Sequence, residues 1–531
     1  MRKTIDCVLI GQNQPPFQDF EQYVRTQGTD SCAYRDVAIN TFRHQGVFRT
    51  ATDLYNMYCC DHNTTKPIKD VEFFNAAIAY LGSYLHRRGF SFDFVNSFRD
   101  EKEYLQNLLE HEDVVTVAIL TSHYITTDPI AEVVRFVRKY NQKARIVVGG
   151  HFIATVIRSF EPSIFNYLFN FLGADFYVNS PQGETALVNL ISSLKNNLPL
   201  DKVNNLYYKT DQGFVPTTAV PENNRLSENM VIWDLFSERV GEFVNVRTAI
   251  SCPFSCSFCA FPLHAGPYQT ADLEALDGEL TQLAKIKSVK AVFFIDDTFN
   301  IPLKRFKEIL NLLIKNRSSF KWASFIRCHQ VDNETVKLMR ESGCELSLLG
   351  LESGSEPILR NMKKAATVDK YYEGIGLLKA SGIITCGNLM IGFPGETAET
   401  VAETVEFIKT SGLDFYRTQS WYYDHSTPIA AEKEKYGLEG QNFEWRHKTM
   451  DSHRVCDYVE EIILTLEEPI RWPMYHFEWP NIFQLNHKGF TFEQVKRFLK
   501  SFNNGVKEKL REPGRTEVSP GIIEQIKESC K

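Results

Sequence analysis

Apolar and polar positions along the chain form two separate successions of strand-length apolar runs and helical stripes. In the first, Val114-Val-Thr-Val-Ala-Ile-Leu120 is a continuous apolar run, Pro129 to Tyr140 carries apolar residues at helical spacing, and Arg145-Ile-Val-Val-Gly-Gly150 is a second short run. Together these predict a βαβ unit. Gly173-Ala-Asp-Phe-Tyr-Val178 and a helical stretch from Thr185 to Leu194, opening at Gly183-Glu184, extend the alternation, so a doubly wound parallel sheet is expected over residues 1–200. The apolar stretch near the N-terminus is short and is broken by Asp6, which marks a first strand and not a signal-peptide core. Ligands of such sheets bind beyond the carboxyl ends of the strands, where Thr121, Ser122, Gly149, Gly150 and His151 fall.

Residues 201–243 are rich in Pro and Asn and read as a connector. A second alternation then begins, with strands expected near 244–250, 290–295, 322–327, 345–351, 384–391 and 414–420 and amphipathic helices between them. Repeated βα units of this kind predict a partial barrel over 244–430, with its chemistry at the strand carboxyl ends. Beyond 430 the pattern becomes helical and aromatic-rich, with Trp445, Trp472, Tyr475, Phe477, Trp479 and Phe483, and residues 431–531 are expected to cap the barrel. The predicted fold class is therefore α/β: a doubly wound domain, a partial (β/α) barrel and a helical C-terminal region.

At 531 residues, 43% hydrophobic and 24% charged, the chain is long enough for two or three cored domains. It has no apolar run approaching the roughly 18 residues of a membrane span, so no membrane association is expected. A net charge of −7 without a long basic block argues against nucleic acid as a partner. Twelve cysteines without a secretion signal point to reduced thiols and a cytoplasmic location, with isolated ones such as Cys7, Cys32, Cys59, Cys60, Cys344 and Cys530 read as small buried hydrophobes.

One cysteine group stands apart. Cys252-Pro-Phe-Ser-Cys256-Ser-Phe-Cys259 puts three thiols within eight residues, directly after an expected strand ending at Ile250. Three ligands would hold a [4Fe-4S] cluster and leave one iron open to a substrate or cofactor. A closed zinc site needs a fourth ligand, and the nearest candidate, His264, belongs to no matching pair motif. The loop resembles the CxxxCxΦC loop of the radical S-adenosylmethionine superfamily, with Phe258 as the aromatic. That resemblance implies that Cys252, Cys256 and Cys259 hold a [4Fe-4S] cluster whose open iron chelates S-adenosylmethionine, which an electron then cleaves to a 5′-deoxyadenosyl radical. It continues through Phe294-Ile-Asp-Asp297, through Trp322 to Arg327, through Leu349-Gly-Leu-Glu352-Ser353-Gly, and through Asn388-Leu-Met-Ile-Gly392-Phe-Pro-Gly395-Glu396. By the same resemblance Phe258, Asp297, Arg327, Glu352, Ser353, Asn388, Gly392 and Gly395 contribute to the S-adenosylmethionine site. Read without it, Asp296 and Asp297 would be turn residues capping the helix expected at Leu303.

Residues 114–194 resemble the cobalamin-binding domain of one radical S-adenosylmethionine class, through Val148-Gly-Gly-His151 and Gly173-Ala-Asp-Phe176 with Gly183-Glu184. Cobalamin is therefore a further candidate cofactor, although the Asp-x-His-x-x-Gly string that would supply a cobalt ligand is absent. Over its length the chain is similar to the family around the phosphinate P-methyltransferases and the proteusin peptide epimerases. The resemblance leads to an expected activity of L-to-D epimerisation in a ribosomally made precursor peptide, with Cys456 as hydrogen donor and Cys328 as its rival, and with Cys386 structural. A cobalamin-dependent C- or P-methyltransferase is the alternative, and a non-catalytic iron-sulfur or cobalamin sensor is the reading from another class. The expected partners are the peptide substrate and an electron donor such as flavodoxin or ferredoxin.

Overall fold

The computed structural model describes residues 2–60, 67–69, 73–316, 319–475 and 477–531. It divides into two compact units, each discontinuous in sequence. Unit 1 comprises 1–15, 74–245 and 270–286; unit 2 comprises 16–73, 246–269 and 287–531.

The core of unit 1 is a sheet of β1 (Thr4–Gln12), β2 (Phe92–Ser97), β3 (Asp113–Leu120), β4 (Arg145–Gly149), β5 (Phe176–Val178), β6 (Leu206–Thr210) and β7 (Gly213–Pro216), in the order β2-β1-β3-β4-β5-β6-β7. From β2 to β5 the strands are parallel, with Ile5 opposite Val114 and Val117 opposite Ile146. These central strands read as apolar runs because both their faces are covered, and Val8, Val117, Ile119, Ile146 and Val148 have no exposed surface. The expected doubly wound sheet is thus present. The helices Asp128–Tyr140 and Glu184–Asn196 also lie where the periodicity puts them.

In unit 2, β8 (Ala291–Phe294), β9 (Lys321–Ile326), β10 (Cys344–Glu352), β11 (Ile384–Ile391), β12 (Phe415–Ser420) and β13 (Ile470–Arg471) pair in that order, all parallel. The Val246 carbonyl accepts the Ile295 amide at 2.9 Å, which extends the edge of the sheet toward the cysteine loop. Some of the helices between the strands start on side-chain caps: Asp332 accepts the Thr335 amide at 2.7 Å, and Thr397 caps the helix Ala398–Thr410. A parallel sheet carries all its strand carboxyl ends on one edge, and the motif residues lie on that edge.

Three expectations need correction. The stretch 1–200 is not one contiguous domain, because residues 16–73 belong to unit 2, and the divisions at 243 and 430 do not coincide with the compact units. The connector is not all loop: β6 and β7 form an antiparallel hairpin that pairs with β5. The C-terminal region is helical as expected, with Ser452–Thr465, Trp479–His487, Phe492–Arg511 and Pro520–Ser529, and it also carries a three-stranded sheet of Glu439–Gln441, Glu444–His447 and Met450–Asp451. Cys59 and Cys530 are not free thiols but a disulfide, Cα atoms 5.3 Å apart across 471 residues. The unit division and the Cys59–Cys530 link join segments far apart in sequence, which hydrophobic periodicity does not report. Among the described residues no helix is long and apolar enough to cross a membrane.

Candidate active site

The cysteine loop follows the short strand Ala249–Ile250 through Ser251, a non-glycine residue at φ 69°. Left-handed backbone at such a residue costs about 1 kcal/mol or more and persists where its surroundings impose it. The loop is pinned from several directions. The Ser257 amide donates to the Met362 carbonyl at 2.9 Å, the Ser257 hydroxyl to the Asn361 carbonyl at 2.7 Å, and the Ile429 amide to the Ser257 carbonyl at 2.9 Å. Cys252 Sγ lies 3.0 Å from Thr298 Oγ1, beyond β8, and the Arg327 guanidinium, beyond β9, donates to Cys256 Sγ at 3.4 Å. Burial raises the Cys259 thiol above its ordinary pKa, and the two other cysteines are near enough to add to that rise. Three converging thiols, one already accepting a charged donor, form the donor set that a [4Fe-4S] cluster requires.

Arg327 is buried and fully engaged. Besides Cys256 it donates to the Lys364 carbonyl at 3.0 Å, and its guanidinium lies 3.5 Å from the centre of the Phe254 ring. The Lys364 ammonium in turn binds Glu352 at 2.9 Å, with side-chain exposures of 6% and 16%, so the pair is largely withdrawn from water. Glu352 ends β10 at φ 68°, a second left-handed non-glycine residue on the same edge. Phe258 lies 5.5 Å from the Lys364 nitrogen and makes an edge contact with Phe393.

Asp296, not its exposed neighbour, is the buried acid after β8. It accepts the Thr248 amide at 2.7 Å, the Ala249 amide at 3.0 Å and the Thr248 hydroxyl, which ties the end of β8 to the approach of the cysteine loop. Burial pushes its pKa up to about 6 against those bonds. Asp297 reaches solvent from a recess in which surrounding protein, then the Asp296 charge, raises it to about 6 as well. Neither caps the helix Leu303–Lys315, whose N-cap is Pro302.

The remaining positions divide. Asn388 is half-buried on β11 and donates to the Leu349 carbonyl at 3.4 Å. Gly392 and Gly395 hold φ values of 97° and 93°, and a Cβ on Gly392 would come within 2.5 Å of Val455 and 2.7 Å of Trp445. Ser353 has no exposed surface: its hydroxyl lies 3.2 Å from Thr404 Oγ1 and accepts the Ser355 amide, so its bonds serve the helix behind β10. Cys456 is buried in the helix Ser452–Thr465, 3.9 Å from Ser420 Oγ and beside Cys32. The interaction of the two thiols lowers the Cys32 pKa to about 7 and raises that of Cys456. Cys328 and Cys386 are both buried, which pushes each to about 12.

Sequence motifs did not single out Asp296, Phe254, Lys364 or His329. Among the described residues neither ring nitrogen of His329 has a hydrogen-bond partner, and burial, with the Arg327 and Lys364 charges, lowers its pKa to about 4, so the ring is neutral. Lys364 belongs to no motif string, and no signal along the chain could have found it.

Residues 247–408 match the sequence model of the Radical SAM superfamily. An uncharacterized methyltransferase of Pyrococcus horikoshii is 26% identical over 311 residues, covering 57% of this chain and 65% of its own, so the chain spans less than two thirds of that relative. The structure of the radical S-adenosylmethionine methyltransferase TsrM from Kitasatospora setae, with cobalamin and a [4Fe-4S] cluster bound, superposes with a TM-score of 0.61 at 15% identity, covering 86% of this chain and 96% of TsrM. The cobalamin-dependent S-adenosylmethionine radical enzyme OxsB, with aqua-cobalamin and S-adenosylmethionine bound, gives 0.56 at 14% identity over 87% of this chain and 76% of OxsB. These likenesses describe the shared fold.

Proposed function

We propose, from the premise that this chain carries a radical S-adenosylmethionine domain at residues 247–408, that it is a cobalamin-dependent radical S-adenosylmethionine methyltransferase. The observation that carries the reading is the likeness in fold to TsrM over 86% of the chain, which takes in far more than the superfamily domain. When bound, the cluster supplies the electron that cleaves S-adenosylmethionine and cobalamin carries the methyl group to be transferred. An electron donor such as flavodoxin or ferredoxin would supply that electron.

The chain's own residues have defined tasks in this reading. Cys252, Cys256 and Cys259 would hold the [4Fe-4S] cluster, and the Arg327 guanidinium at Cys256 would withdraw charge from that sulfur. Glu352, held by Lys364, presents a fixed carboxylate at the strand edge, suited to the ammonium or ribose hydroxyls of S-adenosylmethionine. The turn 392–396 brings bare backbone to the same edge, because neither glycine has room for a side chain. In unit 1, Gly150 at φ 114° would place a Cβ 3.0 Å from the Thr121 amide, so a backbone-lined cradle of Thr121, Ser122 and Gly149 to His151 lies beyond β3 and β4. Those residues would hold the edge of cobalamin.

The epimerase reading has no supporting observation, and the thiol chosen as its hydrogen donor is buried between Cys32 and Ser420. The test is anaerobic reconstitution with iron, sulfide and cobalamin, followed by turnover with candidate substrates. We expect one cluster per chain, retained cobalamin, 5′-deoxyadenosine and a product heavier by a methyl group. A product carrying one solvent deuterium and no methyl would overturn methyl transfer in favour of epimerisation. Absence of 5′-deoxyadenosine from the reconstituted enzyme under reducing conditions would favour the sensor.

A further inference from the structure

A second thiol group stands in unit 2, apart from the cysteine loop. Cys32 opens the helix Cys32–Ala38, Glu444 opens the strand Glu444–His447, and His453 and Cys456 lie in the first two turns of the helix Ser452–Thr465. Cys32 Sγ, a Glu444 carboxylate oxygen and a His453 ring nitrogen all lie within 4.8 Å of one another. Cys456 follows His453 by three residues, which places both on one helix face, and its thiol is the neighbour that does most to lower the Cys32 pKa. Two sulfurs, an imidazole and a carboxylate therefore converge from three elements.

The surrounding bonds position these groups. Glu444 accepts the Cys32 amide at 3.0 Å through one oxygen, and its other oxygen lies 3.4 Å from His453 Nε2. The Cys32 thiol donates to Ser452 Oγ at 3.3 Å. Arg35, one turn after Cys32, binds Asp457 and Glu460 at 2.8 Å each and so locks the two helices together. Both thiols are buried, whereas the His453 and Glu444 side chains are 58% and 55% exposed, so the sulfurs face inward and the site opens to solvent on its other side.

We propose that Cys32, Cys456, His453 and Glu444 form a structural zinc site. Zinc takes thiolate, imidazole and carboxylate ligands in four-coordinate geometry, whereas two sulfurs exclude magnesium and calcium. Bonds of about 2.3 Å to sulfur and about 2.0 Å to nitrogen and oxygen put tetrahedral ligand atoms roughly 3.3 to 3.8 Å apart. The 4.8 Å spread of the Cys32, Glu444 and His453 ligand atoms closes when the two exposed side chains change rotamer, and Cys456 completes the set from the His453 face of its helix. Binding forms two Zn–S bonds, one Zn–N and one Zn–O, and the thiols release up to two protons to solvent with no change of oxidation state. The consequence is a clamp that ties the segment around residue 32 to one more than 400 positions later.

The experiment uses the full chain with its cluster reconstituted, supplied with zinc chloride, passed over a chelator and read by elemental analysis and zinc-edge X-ray absorption. We expect one zinc per chain with two sulfur and two lighter ligands. Cys456→Ser should lower zinc retention roughly tenfold or more at unchanged iron. Because that variant alters a buried residue, the pair Glu444→Gln and His453→Ala serves beside it: each should lose zinc while melting like the parent in the absence of zinc. Zinc below a tenth of an equivalent, zinc unaffected by these variants, or a three-sulfur shell marking capture by Cys252, Cys256 and Cys259 would overturn the site. So would a Cys32–Cys456 disulfide found by peptide mapping in the zinc-supplied protein.

Discussion

Glu396 offers the sharpest test of the active-site turn. Its carboxyl has no exposed surface; one oxygen accepts the Gly392 amide, and the other has no hydrogen-bond partner among the described residues. Burial raises its pKa from 4.5 to about 7. A carboxyl raised in the folded state keeps a proton that the unfolded chain has already lost. The folded state therefore bears no penalty below pH 4.5, an increasing one between 4.5 and 7, and a constant one above. At 1.36 kcal/mol per pH unit the full penalty is about 3 kcal/mol. Glu396→Gln keeps an oxygen for the Gly392 amide and removes the ionisation. Relative to the parent, the variant should gain about 1 kcal/mol at pH 5 and about 3 kcal/mol at pH 8. Urea unfolding at both pH values, followed by tryptophan fluorescence, measures this, since Trp445 packs against Gly392 and donates to the Trp421 carbonyl at 2.8 Å. A difference that does not change with pH, or that reverses sign, would show Glu396 ionised and compensated, and the buried-acid account of the turn would fall.

The triple change Cys252→Ala, Cys256→Ala, Cys259→Ala should abolish the brown absorbance and 5′-deoxyadenosine formation while leaving soluble protein, as iron analysis and product chromatography would show. Lys364→Met strands the Glu352 carboxylate and should cost roughly 3 kcal/mol of stability. It should also weaken S-adenosylmethionine binding by calorimetry at normal iron content, and equal loss of iron would reassign the pair to the cluster. Gly392→Ala meets Val455 at 2.5 Å in a left-handed conformation and should destabilise by about 1 to 3 kcal/mol in the same urea assay. Gly150→Ala should lower retained cobalamin, read from its visible spectrum, without altering iron content; unchanged retention would place the cofactor elsewhere.

The sequence by itself determined the two α/β successions and the chemistry of the cysteine loop, because both are local. A strand buried on both faces must be a continuous apolar run, as Val114 to Leu120 is, and a loop can present three thiols to one cluster only if they are close in sequence. The order of strand ends also followed, since parallel βα units deliver successive carboxyl ends to one edge. Tertiary structure alone decided which side chains meet there. Asp296 and Asp297 are adjacent in the same motif, yet only the fold puts one into the Thr248 amide and leaves the other in a solvent recess. Ser353 lay within a motif string and turns away to Thr404, while Lys364, in none, closes on Glu352. Cys32 read as an isolated hydrophobe, whereas the fold sets it beside Glu444 and His453, more than 400 positions away. Periodicity records which face of an element is buried, because burial repeats along that element; it carries no record of what the face is buried against, because the partner comes from a distant segment whose approach is set by packing of the whole unit.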